Sequence, residues 1–577
     1  MDKNLLLAIA LSMLVIIGYY AFLPPQPPPK PKPGSEAGTT PQAQGGATAG
    51  GQPAALATGS APGMLPDSRL KADGERFLVV ETPRYMARID RRGGTMESLQ
   101  LKAYRMGKAH IDWGTLLPPL RSLISRKESY DITAPVEMIS HRIPEAQMLG
   151  VTFVDNPARN QALATLDFRA DRTRIALQGD EAAPATLTLE GTGPDNITVR
   201  KVLTFHADSY IIDYELQVIN YAEDARHVRV EAGFGEGMPR ALSKDFQGHY
   251  GPIYQTGGSL TTEDPDDIEG QLLVREVDWL GMTDNYFLTA VQPTTPISYG
   301  VYKSKLLSTP DQDEDWGSWY GVELPALELQ PQKMISSQYR LFVGPKNVGE
   351  MRKFNDQLEN SLDLTLDILA RPLLAMLRWF YGYVGNYGIA IILLTVVVRV
   401  GLFPLTYKGM VAMKRMQKLQ PKMVALREKL KNDKERLNRE MMDMYKRYKV
   451  NPLGGCLPIA LQIPIFFALY SALLGAIELR HSPFYLWIVD LSAKDPLYVT
   501  PILMGASMFL QQKLTPTTLD PTQAKIMMWM PLIFTAFMVN FPSGLVLYWL
   551  TSNILSVAQQ LIINRINVPE PVEQTAA

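Results

Sequence analysis

Arg399 carries the most pointed chemistry in the sequence, because it stands inside an apolar run, residues 387–407 (YGIAIILLTVVVRVGLFPLTY), nine residues before Lys408. A helix of this run would reach about 31 Å, the thickness of a hydrocarbon core. The guanidinium would then sit about 13 Å below the nearer end, farther than an arginine side chain can snorkel. A charge at that depth costs about 2.5–3.5 kcal/mol on insertion scales and more if it faces lipid. Arg399 must therefore face protein or a wet cavity. The other apolar runs offer almost no carboxylate to pair with it, but they do hold Thr395, Gln462, Ser471, Ser552, Asn553 and Gln559. Each could be satisfied by a neighbouring helix. Together with Arg399 they could line a polar recess.

Other chemistry is sparse. The chain has 577 residues, a formal charge of −1, and one cysteine, Cys456, which excludes an intrachain disulfide. Five of its six histidines fall between 68 and 343, with no metal-ligand spacing. No P-loop or nucleophile with a matched base is visible, so neither an enzyme nor a cofactor is expected. The acidic stretches 263–269 and 311–315 read as solvated turns, and Gly233, Gly235 and Gly237 follow a strand pattern without opening a helix.

The elements that position Arg399 follow from periodicity. Residues 1–23 read as an uncleaved signal anchor, and 24–66 as a disordered tether rich in Pro, Gly and Ala. Between 67 and 345 apolar residues alternate, as in Tyr210, Ile212, Tyr214, Leu216 and Val218. Similar runs at 77–89, 197–205, 227–232, 297–302 and 335–343 predict a large β-sandwich. From Met351 to Phe380 the period becomes three to four, predicting one interfacial amphipathic helix within 346–385, closed by Trp379, Tyr381 and Tyr383.

The next span, 386–407, leads into 408–450, where residues 408–449 hold 14 Lys and Arg against 5 Asp and Glu. The positive-inside rule makes this segment cytoplasmic, the β domain external and the N-terminus internal. Two seams predict a helical hairpin: Met410, Met413, Met416 and Met423 on one arm, Met441 and Met444 on the other, turning at Asn432 and Asp433. Its adaptable methionines suit a partner surface. Basic charge there fits ribosomal phosphate, with nothing that would read a nucleic-acid sequence. Four further spans lie within 451–565, at 457–477, 497–511, 526–539 and 545–563, and leave a short cytoplasmic tail, 566–577. The second and third of these are short for a bilayer.

The runs NPLGGCLPIALQIPIFFALY (451–470), DPLYVTPILMG (495–505) and FPSGLVLYWLTSN (541–553), with Asp490, Leu491 and Ser492, resemble the YidC membrane protein insertase family of Gram-negative bacteria. The resemblance covers the whole order of segments. It implies a polytopic α-helical membrane protein of six spans and a five-helix core, with a periplasmic all-β sandwich and a cytoplasmic helical hairpin. It further implies an inner-membrane insertase and chaperone acting alone or beside the Sec translocon. Its partners would be nascent membrane proteins, ribosomes or targeting factors, and the lipid bilayer. By motif Arg399 matches the arginine of the family's hydrophilic groove, and Thr395, Gln462, Tyr548, Trp549, Ser552 and Asn553 fall at or beside groove positions. Family members carry Tyr-Tyr where this chain has Tyr548 and Trp549. On residues alone, an anion transporter and a membrane-anchored carbohydrate-active enzyme stay open. The first would show repeated halves, and the second a carboxylate pair in a cleft.

Overall fold

The computed structural model describes residues 58–60, 76–107, 134–237, 249–268, 270–307, 315–362, 364, 366–430, 433–448, 450, 457–514 and 521–566. The anchor, most of the tether, Asn432, Cys456 and the tail beyond 566 lie outside them. The chain divides into two compact units, Met1–Gln100 with Glu137–Gly344, and Leu101–Val136 with Pro345–Ala577.

In the first unit, the described residues form two ten-stranded sheets, a two-stranded one, and a short helix, α1 (Pro157–Thr165). Strand Ile211–Asn220 pairs antiparallel with Ile197–Phe205 on one side and Lys333–Pro345 on the other. Its Ile212, Tyr214, Leu216 and Val218 are buried, while Asp213, Glu215 and Gln217 stay half-exposed. That is the period-two pattern expected of a sheet with one face on the core. Strands also lie over each of the other alternating runs. Between the sheets, Tyr302 donates its hydroxyl to the Ile253 carbonyl at 2.7 Å and accepts from the Gly281 amide at 2.9 Å. Phe234 stacks edge-on to Tyr339 across the same layer, at 5.4 Å between centroids.

Lys201 had no place in the sequence reading. It projects from Ile197–Phe205 into the core, 1% exposed, and its Nζ donates to the carbonyls of Gly93, Gly94 and Leu149 at 3.0, 2.7 and 2.7 Å. Gly93 and Gly94, in the turn between Tyr85–Asp90 and Thr95–Arg105, both have positive φ, 77° and 60°, which glycine adopts without strain. Lys201 thus uses three N–H groups to satisfy a turn and a strand of the opposite sheet, with the Phe168 ring 4.9 Å away.

Three expectations need correction. The tether is not unstructured throughout, because Thr58–Ser60 pairs with Lys333, Met334 and Ile335; backbone pairing needs no apolar side chains. The stripe from Met351 to Phe380 is three pieces, α2 (Val348–Phe354), a 3₁₀ turn (Asp356–Ser361) and α3 (Asp367–Val384). The Asn355 side chain accepts from the Gln357 amide and diverts the backbone after α2, while Leu366 enters the left-handed region at φ 56°. Finally, the span at 386–407 and the first hairpin arm are one helix, α4 (Tyr387–Lys429), 43 residues or about 64 Å long. It is capped by Asn386 at its start and carries Pro404 and Pro421 inside, with no terminating residue at 407.

The second unit continues with α5 (Lys434–Arg447), α6 (Leu457–Leu474), α7 (Val499–Leu514), α8 (Pro521–Met538) and α9 (Ser543–Arg565). Among the described residues α4 and α9 are long and apolar enough to cross a bilayer, and shorter apolar stretches lie in α6 and α8. The helix over the 526–539 stretch extends beyond it at its start. Pro521 opens the helix, where its missing N–H is no loss, and α8 reaches 18 residues. Gly505 lets α7 approach α8 closely, since a Cβ there would lie 2.1 Å from the Thr535 hydroxyl.

Replacing Lys201 by Met should destabilise the β unit by about 3 kcal/mol, because three buried carbonyls lose their donor. Burial pulls Lys201 down to about 7, against about 10.4 in an unfolded chain. Between those values the unfolded chain holds the extra proton, so wild type should gain on Lys201→Met as pH rises from about 7 to about 10. Pulse proteolysis of the full chain in urea, following fragments of the β unit, would measure both effects.

Candidate functional site

Arg399 lies midway between the start of α4 and Lys414, on the face turned to α9 and α6. Its Nε donates to Ser552 Oγ of α9 at 3.0 Å, and its Nη2 to Gln462 Oε1 of α6 at 3.3 Å and to the same serine. Gln462 Nε2 closes the triangle on Ser552 Oγ at 3.4 Å. These partners are neutral, so the cluster keeps its positive charge. On the same face, Ser556 Oγ donates to the Ser552 carbonyl at 2.9 Å. A half-buried guanidinium held by hydroxyl and amide oxygens is solvated by protein without being neutralised.

The other residues singled out by sequence divide around this centre. Tyr548 is buried one turn before Ser552. Thr395 is buried one turn before Arg399, but its hydroxyl donates to the Ile391 carbonyl at 2.6 Å. Asn553 donates to Ser507 Oγ of α7 at 3.2 Å and so ties α9 to a different neighbour. Trp549 belongs to an aromatic cluster, 4.7 Å edge-on to Phe466 of α6 and 4.6 Å from Phe534 of α8. Seven residues beyond the Arg399–Ser552 contact, Gln559 Nε2 donates to Thr406 Oγ1 at 2.8 Å. Thr406, Ser507 and Ser556 went unnoticed in the sequence. The usable signal was spacing, since a seven-residue step returns to the same face of a helix after two turns.

In the hairpin, Met416 and Met423 are buried, and Met416 and Leu419 pack on Tyr448 and Val450 with Met444 against them. Met410, Met413 and Met441 are half-buried. Asp433 opens α5 by accepting from the Arg436 amide at 3.0 Å.

The loop between α6 and α7 holds the far end of α9. The Ser543 and Gly544 amides, which α9 cannot satisfy internally, donate to the carbonyls of Ala493 and Leu491 at 2.7 and 2.9 Å. Ser543 Oγ adds a bond to the Asp490 carbonyl at 3.0 Å, and Asp490 Oδ1 accepts from Ser492. Only glycine fits at 544 without displacing a neighbour, because a Cβ would stand 3.1 Å from the Leu491 oxygen. Asp495 organises the start of α7, accepting from the Leu497 amide and from the amide and hydroxyl of Thr500. On the same side, Arg378 of α3 pairs with Glu478 at 2.9 Å.

Comparison with known proteins covers both units. A family model described as 60Kd inner membrane protein matches residues 379–570, and one described as YidC periplasmic domain matches residues 126–376. The membrane protein insertase YidC of Syntrophus aciditrophicus (strain SB) is 40% identical over 578 residues, spanning 98% of this chain and 100% of that protein. That of Geobacter metallireducens is 38% identical over 576 residues, spanning 98% of each.

Ser552→Val should lower stability by about 2 kcal/mol, the worth of a hydrogen bond to a charged group, because Arg399 then keeps only Gln462. Thermal unfolding of the full chain in detergent measures it, and Ser552→Thr, which keeps the hydroxyl, should lose much less.

Proposed function

The chain belongs to the YidC family of membrane protein insertases, and from that premise we propose that it receives client segments at the Arg399 recess and releases their helices sideways into lipid. The observation that carries this reading is a guanidinium held among three helices by partners that, among the described residues, are neutral. A short polar or acidic client segment finds there an uncompensated charge and hydrogen-bonding side chains inside an otherwise apolar layer. Its apolar helix meanwhile moves into lipid, gaining roughly 25 cal/mol per Å² of apolar surface removed from water. The step needs no bond-making chemistry.

The family match supports a bacterial inner-membrane protein with a periplasmic domain. We place six spans in the chain, counting 1–23 and α4 with α6 through α9, and put both termini and the α4–α5 hairpin in the cytoplasm. Trp379 and Tyr383 on the exposed face of α3 suit a headgroup layer. Met416, Met423 and Met444 hold the hairpin together. Its outer surface, with Arg436, Arg439, Lys446 and Arg447 exposed, is the part that would meet a ribosome or targeting factor. Larger clients would be handled beside the Sec translocon. Of the family's groove positions, Trp549 acts here as packing for α6 and α8 rather than as a recess residue.

Arg399→Ala should reduce insertion of clients with acidic translocated segments about tenfold, and Arg399→Lys about twofold, because the recess supplies a positive charge more than a bidentate fork. Insertion of nascent chains into proteoliposomes carrying each variant measures this. Equal loss in both variants would mean the guanidinium geometry itself is required, and no loss in either would reduce Arg399 to a structural residue.

A further inference from the structure

The contacts between α4 and α9 share one register. Arg399 meets Ser552 and Thr406 meets Gln559, both at a sequence separation of 153. Ile391 lies beside Gly544 at the same offset, its Cδ1 3.4 Å from where a Cβ would stand. A constant offset means that the helices run parallel, and seven-residue steps mean that one face of each forms the seam. A third polar contact extends the series beyond the apolar part of α4. Lys414 Nζ donates to the carbonyls of Ile563, Asn564 and Ile566 at 3.1, 3.0 and 2.6 Å, separations of 149, 150 and 152. These carbonyls are at the end of α9, where a helix leaves its last acceptors unsatisfied and presents the negative pole of its dipole. All three ammonium protons are used, and no neutral side chain offers as many donors on so long a stem.

We infer that Lys414 is a positioning residue that pins the outer arm of α4 to the end of α9, so that load on the α4–α5 hairpin does not shift Arg399 away from Ser552. The need arises from the continuity of α4. A single helix carries both Arg399 and the hairpin arm, so displacement of the arm is transmitted along it to the recess unless something fixes the helix between them. Lys414 lies at that point, about 22 Å beyond Arg399 along the axis. The functional part of this inference rests on the insertase reading; the geometric part does not.

The test uses the full chain in nanodiscs with Cys456→Ser and spin labels at the exposed positions Gln417 and Leu561. Pulsed distance measurements should give one narrow distribution for this background and for Lys414→Arg, and a broad one for Lys414→Met. Insertion of a single-span client should fall about fivefold in Lys414→Met, the factor matching loss of about 1 kcal/mol at a helix end. Affinity for ribosome-bound nascent chain should stay unchanged, and Lys414→Arg should restore insertion to within about twofold, its guanidinium still reaching the helix end. A narrow distribution in Lys414→Met overturns the inference, and so does a broad one with undiminished insertion. Should Lys414→Met fail to accumulate, Lys414→Gln takes its place with the same two readings. If the distances behave as expected while the background protein inserts no client, the insertase reading fails and the pinning stands.

Discussion

A positive charge that cannot leave an apolar helix dictates how the membrane unit is put together. Arg399 needs oxygen acceptors from other helices, and Ser552 and Gln462 supply them from α9 and α6. A carboxylate would have bound it more tightly but cancelled the field. With neutral partners the field survives, worth on the order of 2 kcal/mol for a carboxylate about 8 Å away at an effective dielectric near 20. The membrane unit therefore solvates this charge without neutralising it.

Close approach between helices serves the same end. Gly388 lets the Phe484 ring lie against α4, Gly505 lets α7 reach α8, and Gly544 lets the start of α9 sit under the 490–493 loop. In the β unit the corresponding problem has the opposite solution. There Lys201 is surrounded by three backbone carbonyls and its charge is consumed in joining two sheets. One buried cation stitches, and the other is kept open.

The strands were readable because a sheet with one solvated face writes its geometry as alternation, and 197–205 and 210–218 lie within a residue or two of the observed strands. Arg399 was readable because its cost in an apolar run is large. Ser552 and Gln462 stand out in the sequence as polar residues in spans, Gln462 also by family resemblance, but which of them touch Arg399 depends on how α6 and α9 rotate, and periodicity does not fix rotation. Thr395 and Trp549 show the difference, one bonding to its own helix and the other joining an aromatic cluster. The breaks after α2 and before α3 were missed because apolar spacing continues across them, while Asn355 acts through local hydrogen bonds. The continuity of α4 has the converse cause, since composition changes from apolar to basic near 407 while the helix goes on. Lys201 left no trace, since a lysine in an alternating strand is ordinarily a solvent-facing residue.

The cap that the 490–493 loop places on α9 also fixes an order of assembly. The first two amides of α9, those of Ser543 and Gly544, find their acceptors on a loop synthesised some 50 residues earlier, so the last helix docks onto a scaffold already in place. That helix carries Ser552, and Arg399 precedes it by 153 residues. At roughly 5–20 residues per second of synthesis, Arg399 exists for about 8–30 s before its serine is made. For the first 63 residues of that interval Arg399 has neither Gln462 nor Ser552, so its guanidinium gains its acceptors in two steps, when α6 and then α9 arrive.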